Sequence, residues 1–583
     1  MHIANSNYKY QGGQFMNKKG FKISALAIVA MSMLAGCNSG NNANSNTNAT
    51  PAETAAADSG NAQASAPAAE TGPSWKKDTS PFTFTQYFYG NWASNYLWKD
   101  QFAMKLATEK TGVTIDRKLA TGSDDDYLNT MIASGDLPDT IMLDWNNPAV
   151  TKLIKNGMVY SMDELMDKYA PELKAQLDPD MVKYHSIDGK LWYLPNLYET
   201  ADRLTSGVPI TPVRPWFIRS DIYAAIGSPA IGTPDDLVNA LKQAKEKFPD
   251  VSPVGVEFFD VAKNGFHGSN SMDYLIYSFS PHLLEERVKD DQQIVEYPMR
   301  NQGFIEAFRF LNRLSSEGLF DPQLLIYKQE QYEEKLYGAQ YAVASQFMTN
   351  MYTQYNPKIE STLGKEQTYT ILDGLKVDGQ DPRYPASRLM GWQGLFITKN
   401  AKNPERIIQF AEYAWSDEGQ LDMRYGTEGE TYDMVDGLPK YKPEILEMSI
   451  KDNATFNSKY GFNNSHLLMR AGKLWDDASA RDLKESQPVQ FEAMKMLEKY
   501  NFDNYPLGME NLEPDGATAE GTINAKVKDL WNKTIPKLVL SKSDAEFDAA
   551  YNEFVKQMDQ VGAEKVEKVM YQRHLDDLKK KGL

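Results

Sequence analysis

Cys37 is the only cysteine in 583 residues, and histidine occurs six times. A lone cysteine excludes an intrachain disulfide, a CxxC redox pair and a thiolate zinc cluster. The chain also lacks any long block of lysine or arginine, with 79 acidic residues against 62 basic ones and a formal charge of −17. Counterion-release binding to DNA or RNA needs a basic face, so nucleic acid is not an expected partner. A G-x-S-x-G elbow, an H-E-x-x-H helix and a Walker loop are missing too. A glycosidase needs two carboxylates at a set separation across a cleft, and the sequence singles out no such pair. No catalytic constellation stands out, so no enzyme activity is expected of the chain and no cofactor is called for. What it does contain is 42% hydrophobic and 11% aromatic residues, enough for a large packed core in two to four domains.

The place of Cys37 explains its isolation. Met16 opens a short basic stretch, "MNKKGFK", and an uncharged apolar run follows from Ile23 to Leu34. These are the two parts of a secretory signal, and the run falls short of the roughly 20 apolar residues that span a bilayer. Leu34-Ala35-Gly36-Cys37 resembles the lipobox of bacterial lipoproteins. That resemblance implies cleavage before Cys37 and a thioether-linked diacylglycerol on it, with acyl chains contributing about 0.8 kcal/mol per buried CH₂. Residues 1–15 precede a complete signal, and the expectation is that the chain starts at Met16. Removal of residues 1–37 takes away four lysines and no acid, moving the charge from −17 to −21.

Residues 38–80 read as a tether. From Asn38 to Ser74 there is no aromatic or branched aliphatic side chain to offset the entropy of ordering. Then the pattern changes. Phe82 and Phe84 alternate with Thr83 and Thr85, the period of a strand; a helix is expected over 96–110, a strand at "VTIDRKL", a helix at "DDDYLNTMIASG" and a strand at "DTIMLDW". This alternation predicts βαβ units and a mostly parallel sheet, an α/β fold. Capping boxes are expected at Ser161/Glu164 and Ser543/Glu546, and proline-led helix starts at Thr233-Pro234 and Asn403-Pro404. Beyond Ser486 the pattern is helical, with Phe547, Tyr551, Phe554, Met558 and Val561 on one stripe.

Five collinear segments carry a family likeness: "IASGDLPDTIMLDW", "IDGKLWYLPN", "WFIRSDIYAAIGSPAIGTPDDLVNALKQAKEKFPD", "GLFITKNAKNPERIIQFAEYAWSDEGQ" and "YGTEGETYDMVDGLP". Together they resemble the extracellular solute-binding lipoproteins of bacterial sugar ABC importers, the LipO type, relatives of maltose-binding protein. The resemblance implies a two-lobed, type II periplasmic-binding-protein-like fold with ligand in the interlobe cleft. It places residues 82–205 plus 385–425 in the first α/β lobe and 206–370 plus 426–583 in the second, with crossings near Ser206, near Asp373 and after Tyr425. It implies a protein anchored on the extracellular face of the cell membrane, a monomer that captures a saccharide and hands it to membrane permease subunits. A ligand sensor or adhesion module on the same scaffold is the alternative. Long relatives carry a calcium loop after the helix matching Asp235–Phe248; here that stretch is "FPDVSPVGVEFFD", with Pro and Val where oxygen ligands belong, and no metal site is expected.

In open α/β sheets ligands sit beyond the carboxyl ends of the strands. A pyranose offers an apolar face and a ring of hydroxyls, which suits an aromatic platform flanked by carboxylate, amide or guanidinium groups. On that basis Asn91 and Trp92 fall at the end of the first strand, and Asp144 and Trp145 at the end of the third. The family likeness adds Trp192 in the D-G-K hairpin, Arg214 and Trp216 at the start of the second lobe, Arg388 and Trp392 where the chain returns, and Tyr432 in the "EGETYDM" loop. All are candidate ligand contacts.

Overall fold

The period-2 run at Phe82 forms strand β1 (Phe82–Phe88) in a computed structural model that describes residues 72–583 except 91–97, 99, 200–208, 210–213, 259–269, 387–389, 463–472 and 517. Strands β2 (Val113–Lys118), β3 (Thr140–Asp144) and β4 (Leu194–Pro195) follow. The second lobe contributes β5 (Trp216–Arg219), β6 (Ser252–Gly255), a short hairpin of β7 (Val288–Lys289) and β8 (Ile294–Val295), β9 (Tyr341–Ser345) and β10 (Tyr369–Ile371). Then come β11 (Tyr384–Pro385), β12 (Gln393–Ile397), the hairpin β13 (Tyr432–Val435) and β14 (Leu438–Tyr441), and β15 (Asn501–Phe502). One sheet runs β2-β1-β3-β12-β4 and the other β10-β5-β9-β6.

The first sheet is parallel only where crossover helices link its strands. β1 pairs in parallel with β2 and β3, Phe84 opposite Ile115 and Tyr87 opposite Ile141. β12 runs antiparallel to β3, Gln393 opposite Asp144 and Ile397 opposite Thr140. It arrives from the other lobe, not through a crossover helix on this sheet, so the βαβ constraint does not set its direction. β5 is likewise antiparallel to β9 and β10. Within the two main sheets the expectation of a mostly parallel sheet thus holds for β2-β1-β3 and for the pair β6-β9, and the separate two-stranded pair β11-β15 is parallel as well.

Packing follows the pleat and the helical stripe. One face of the first sheet places Phe84, Phe88, Ile115, Met142 and Ile397 against helix Pro404–Trp415, where Ile407 and Ile408 are fully buried. Each such side chain contributes about 1.5–3 kcal/mol. Asn403 caps that helix by accepting from the Arg406 N–H, with Pro404 at the first position. The second core gathers the central strands β5 and β9 with helices Gln302–Ser316, Ala519–Val539 and Asp544–Gln560, through Phe304, Phe308, Trp531, Phe547 and Phe554. No described helix is long and apolar enough to cross a membrane.

Several local expectations change. The full capping box is at Thr233 and Asp236. Ser161 makes no cap bond: its hydroxyl donates to Asp163 at 3.4 Å, and the expected box partner Glu164 pairs with Lys190 at 2.9 Å; Ser543 accepts from the Glu546 N–H, but Glu546 reaches back to the Lys542 N–H. The helix expected from residue 96 is described over Phe102–Thr111. The tether does not extend to residue 80: Trp75 is buried edge-on against Tyr413 at 4.9 Å, and its N–H donates to Glu412. Residues 426–462 do not go wholly to the second lobe either, since Ile445, Phe456, Tyr460 and Phe462 pack on Ala103 and Met104 of helix Phe102–Thr111. Helical periodicity shows that a stripe is buried, not which lobe it faces.

Candidate ligand-binding site

At the carboxyl end of the first sheet, β3 stops at Asp144 and β12 starts at Gln393, and the two tryptophans outside that last pair face the same rim. The Trp145 N–H donates to the Trp392 carbonyl at 3.2 Å, extending the ladder by one step, and its indole N–H donates to the Gly391 carbonyl at 3.0 Å. Asn196, directly after β4 and almost fully buried, accepts from the N–H groups of Trp392 and Gln393, each at 2.9 Å. Its own N–H donates to the Gln393 carbonyl at 2.8 Å. The turn depends on Gly391: its φ is +79°, and a Cβ there would stand 2.0 Å from the Asn196 carbonyl oxygen. Main-chain bonds therefore hold Trp392 at the edge with 36% of its surface open, beside a half-buried Trp145.

Polar groups line the same edge. The Gln393 amide donates to the Tyr89 carbonyl at 2.8 Å. Tyr89 follows β1 and its hydroxyl donates to Asp125 at 2.7 Å. Burial, with the carboxylates of Asp125, Asp144 and Asp124, raises the Tyr89 phenol well above its ordinary range, so it stays neutral. Behind Trp145, His185 lies edge-on at 5.4 Å and Tyr184 at 5.7 Å. Burial pushes the His185 imidazole down to about 4. Because a carbonyl only accepts, Nε2 carries the hydrogen toward Met390 O at 2.7 Å, and Nδ1 accepts from the Tyr193 hydroxyl at 3.0 Å. The ring is a neutral spacer that fixes the indole.

The second lobe's rim is built differently. Arg214, just before β5, makes a buried ion pair with Glu257, just after β6, and its guanidinium lies 4.0 Å from the centroid of the Phe347 ring, just after β9. Both partners are largely removed from water, 14% and 3% exposed.

Among the predicted residues, Asp144, Trp145 and Trp392 come together, and Arg214 lies on the opposite lobe's rim. Trp192 packs with Trp145 and Tyr89 around one small cluster, its indole N–H used on the Ile187 carbonyl of its own hairpin at 3.2 Å. Trp216 is no rim residue. The segment Ser271–Tyr274 lies over it, so the indole is fully covered, stacked on Tyr274 at 5.7 Å and bonded to Ser271 O at 3.1 Å. Tyr432 is also withdrawn, 5% exposed in a cluster with Tyr425 and Ala478. Asn91, Trp92 and Arg388 lie outside the described residues. Sequence reasoning missed Asn196, Gln393, Tyr184 and His185; Asn196 follows the carboxyl end of β4, where the rim rule would have found it, whereas Gln393 opens the antiparallel β12, whose direction the sequence does not display.

A cavity of about 1460 Å³ opens along helix Phe102–Thr111, lined by Gln101 and Thr108 on one side, Asn453 and Asn457 on a second, and Thr353 and Gln354 of the second lobe on a third. Trp98, Asp100, Glu109, Lys105 and Met104 add an indole, two carboxylates, an ammonium and a thioether to its hydroxyls and amides. None of the predicted contacts lines it. Among the described residues no group of three or more His, Cys, Asp or Glu is placed to hold a metal ion.

The chain is similar to several known proteins. The fructooligosaccharide ABC transporter substrate-binding protein FusA of Streptococcus pneumoniae serotype 4 is 23% identical over 344 residues, 57% of this chain and 60% of that protein. Lipoprotein LipO of Bacillus subtilis strain 168 is 21% identical over 54% of this chain and 60% of its own length. The match thus spans less than two thirds of either relative. Among solved structures, FusA in complex with kestose superposes with a TM-score of 0.62 at 18% identity, covering 85% of this chain and 99% of that one. The alginate-binding protein AlgQ2 without calcium ion gives 0.60 at 18%, covering 85% and 98%. These likenesses fix the fold as the two-lobed, type II solute-binding architecture. The family model of bacterial extracellular solute-binding proteins matches residues 89–421, more than half of the sequence, and the chain belongs to that family.

Proposed function

We propose that this protein is a lipid-anchored receptor on the outer face of the cell membrane that captures a carbohydrate, an oligosaccharide, as a monomer and delivers it to an ABC importer. The observation that carries the reading is the pair Trp145 and Trp392, tied by a main-chain bond at the sheet edge beside Asp144. An exposed indole gives a sugar's C–H face a stacking surface, and a neighbouring carboxylate accepts its hydroxyls in charge-assisted bonds of about 1.5–3 kcal/mol. Sugar-importer relatives such as FusA support the same class. A ligand works here by stabilising the form in which both lobes touch it. Asn91, Trp92, Trp192, Arg214 and Arg388 remain candidate contacts, and catalysis is no part of the proposal.

A thermal-shift screen of the protein against neutral and acidic oligosaccharides tests this directly. A cognate sugar at 100 times its Kd stabilises the fold by about 2.7 kcal/mol. Stabilisation by amino acids or peptides alone would overturn the substrate class. Mass spectrometry of the membrane-extracted chain tests the anchor: a diacylglyceryl group on an N-terminal Cys37 is expected, and an unmodified chain beginning upstream of it would refute it.

A further inference from the structure

The last helix, Ala563–Lys581, belongs to both lobes. Its first half is rooted in the second core by Val566 and Met570, and by Glu567, which accepts from Arg300 Nε at 2.7 Å and from the Tyr297 N–H at 3.0 Å. With 19 residues at 1.5 Å each it is about 28 Å long, enough to leave that core. Its last turn ends against the first-lobe helix Pro179–His185. The Lys581 side chain, only 2% exposed, donates from its ammonium to Tyr505 O at 2.8 Å and to Glu510 at 3.0 Å, and pairs in charge with Asp577 at 2.9 Å. The ammonium also lies 4.2 Å from the Tyr505 ring centroid, and Tyr505 stacks on Tyr184 at 6.4 Å. The Asn511 side-chain amide donates to the Tyr184 hydroxyl at 3.5 Å, and the Lys581 ammonium lies 6.0 Å from the Tyr184 ring centroid. Tyr184 in turn stands edge-on to Trp145.

A buried ammonium is costly to hold unless its partners are held too. They are held: Gly508 has φ +62°, a Cβ there would stand 2.8 Å from the Leu578 side chain, and its carbonyl faces His574 Nδ1 at 3.1 Å. The loop from Tyr505 to Leu512 thus passes from the first core to the second with both ends fixed.

We infer that Tyr184 and Lys581 form a cross-lobe strut that positions the Trp145 platform, so that the geometry between lobes and the ligand affinity of the first lobe are set together. The affinity half of this rests on the saccharide reading above; the geometric half does not. A Cys37→Ser chain has no other thiol, so Glu172→Cys in the first lobe and Glu330→Cys in the second, both exposed, accept spin labels for an interlobe distance measurement. In unliganded protein, Lys581→Met and Tyr184→Ala are expected to broaden or shift the distance distribution, and Lys581→Arg to keep it narrow. Affinity for the best sugar of the screen is expected to fall at least 5-fold in Lys581→Met, although Lys581 is no ligand contact. An unchanged distribution in a folded Lys581→Met overturns the strut, and a changed distribution with unchanged affinity overturns the coupling. Should no sugar bind the unsubstituted protein, the saccharide reading fails while the distance measurement still decides the strut.

Discussion

The two rims facing the interlobe space use opposite means to present an aromatic ring. In the first lobe the main chain does the work: Asn196, Gly391 and the β3–β12 ladder fix Trp145 and Trp392 by neutral hydrogen bonds, which leaves one indole face open. In the second lobe charge does it: the Arg214 guanidinium is held by Glu257 and capped by Phe347, while the nearest tryptophan, Trp216, is sealed in the core. The difference separates binding from folding. A ring fixed by backbone can be removed with little loss of stability, whereas a buried ion pair or core indole cannot be altered without loosening its lobe.

The largest effects are expected on the charged side. Glu257→Gln leaves a buried guanidinium without its counter-charge and is expected to cost about 3–5 kcal/mol, read as a lower denaturant midpoint. A midpoint unchanged within error would mean that Arg214 is solvated and not held by Glu257, which would erase the contrast. Trp216→Ala is expected to cost a similar 3–5 kcal/mol through the cavity it leaves, with sugar affinity per folded molecule unchanged.

A smaller effect sharpens the first-lobe side. The folded pKa of His185, about 4, lies below the 6.5 of an exposed imidazole, so the unfolded chain takes up a proton that the folded one excludes. Its contribution is complete above pH 6.5 and is lost as the pH falls toward 4, at most about 3 kcal/mol. Unfolding titrations at pH 7.5 and 4.5 should show this excess loss in the parent and not in His185→Gln. Equal losses in both would place the imidazole in contact with water.

How far the sequence reaches differs between the lobes for the same reason. Strand β1, the capped helix at Asn403 and the rim pair Asp144-Trp145 rest on local periodicity and on chain ends, which a single sequence displays. Trp216 is covered by Tyr274 and the Ser271 carbonyl, which come from another segment of the chain, and that cover leaves no mark in "PWFIR". Tyr432 and the lobe assignment of residues 426–462 were missed likewise, since a buried stripe does not name its partner. The meeting of Trp145 with Tyr184, and through it with Lys581, joins residues hundreds of positions apart. No spacing rule reports such a contact.

The smallest expected change in stability is also the most diagnostic. Trp392→Ala removes a ring whose surface is about one-third open and whose position is set by its own N–H and carbonyl, both of which alanine retains. The fold should lose no more than about 1 kcal/mol, close to the common value for a single substitution. The lost stacking surface, worth about 0.5–1.5 kcal/mol beyond burial, should weaken sugar binding by up to roughly 10-fold. Calorimetric titration and thermal unfolding of the same preparation separate the two quantities. If affinity is kept while the melting temperature drops by several degrees, Trp392 is a structural residue like Trp216 and the ligand lies elsewhere, the wall of amides and hydroxyls along helix Phe102–Thr111 being the next place to look.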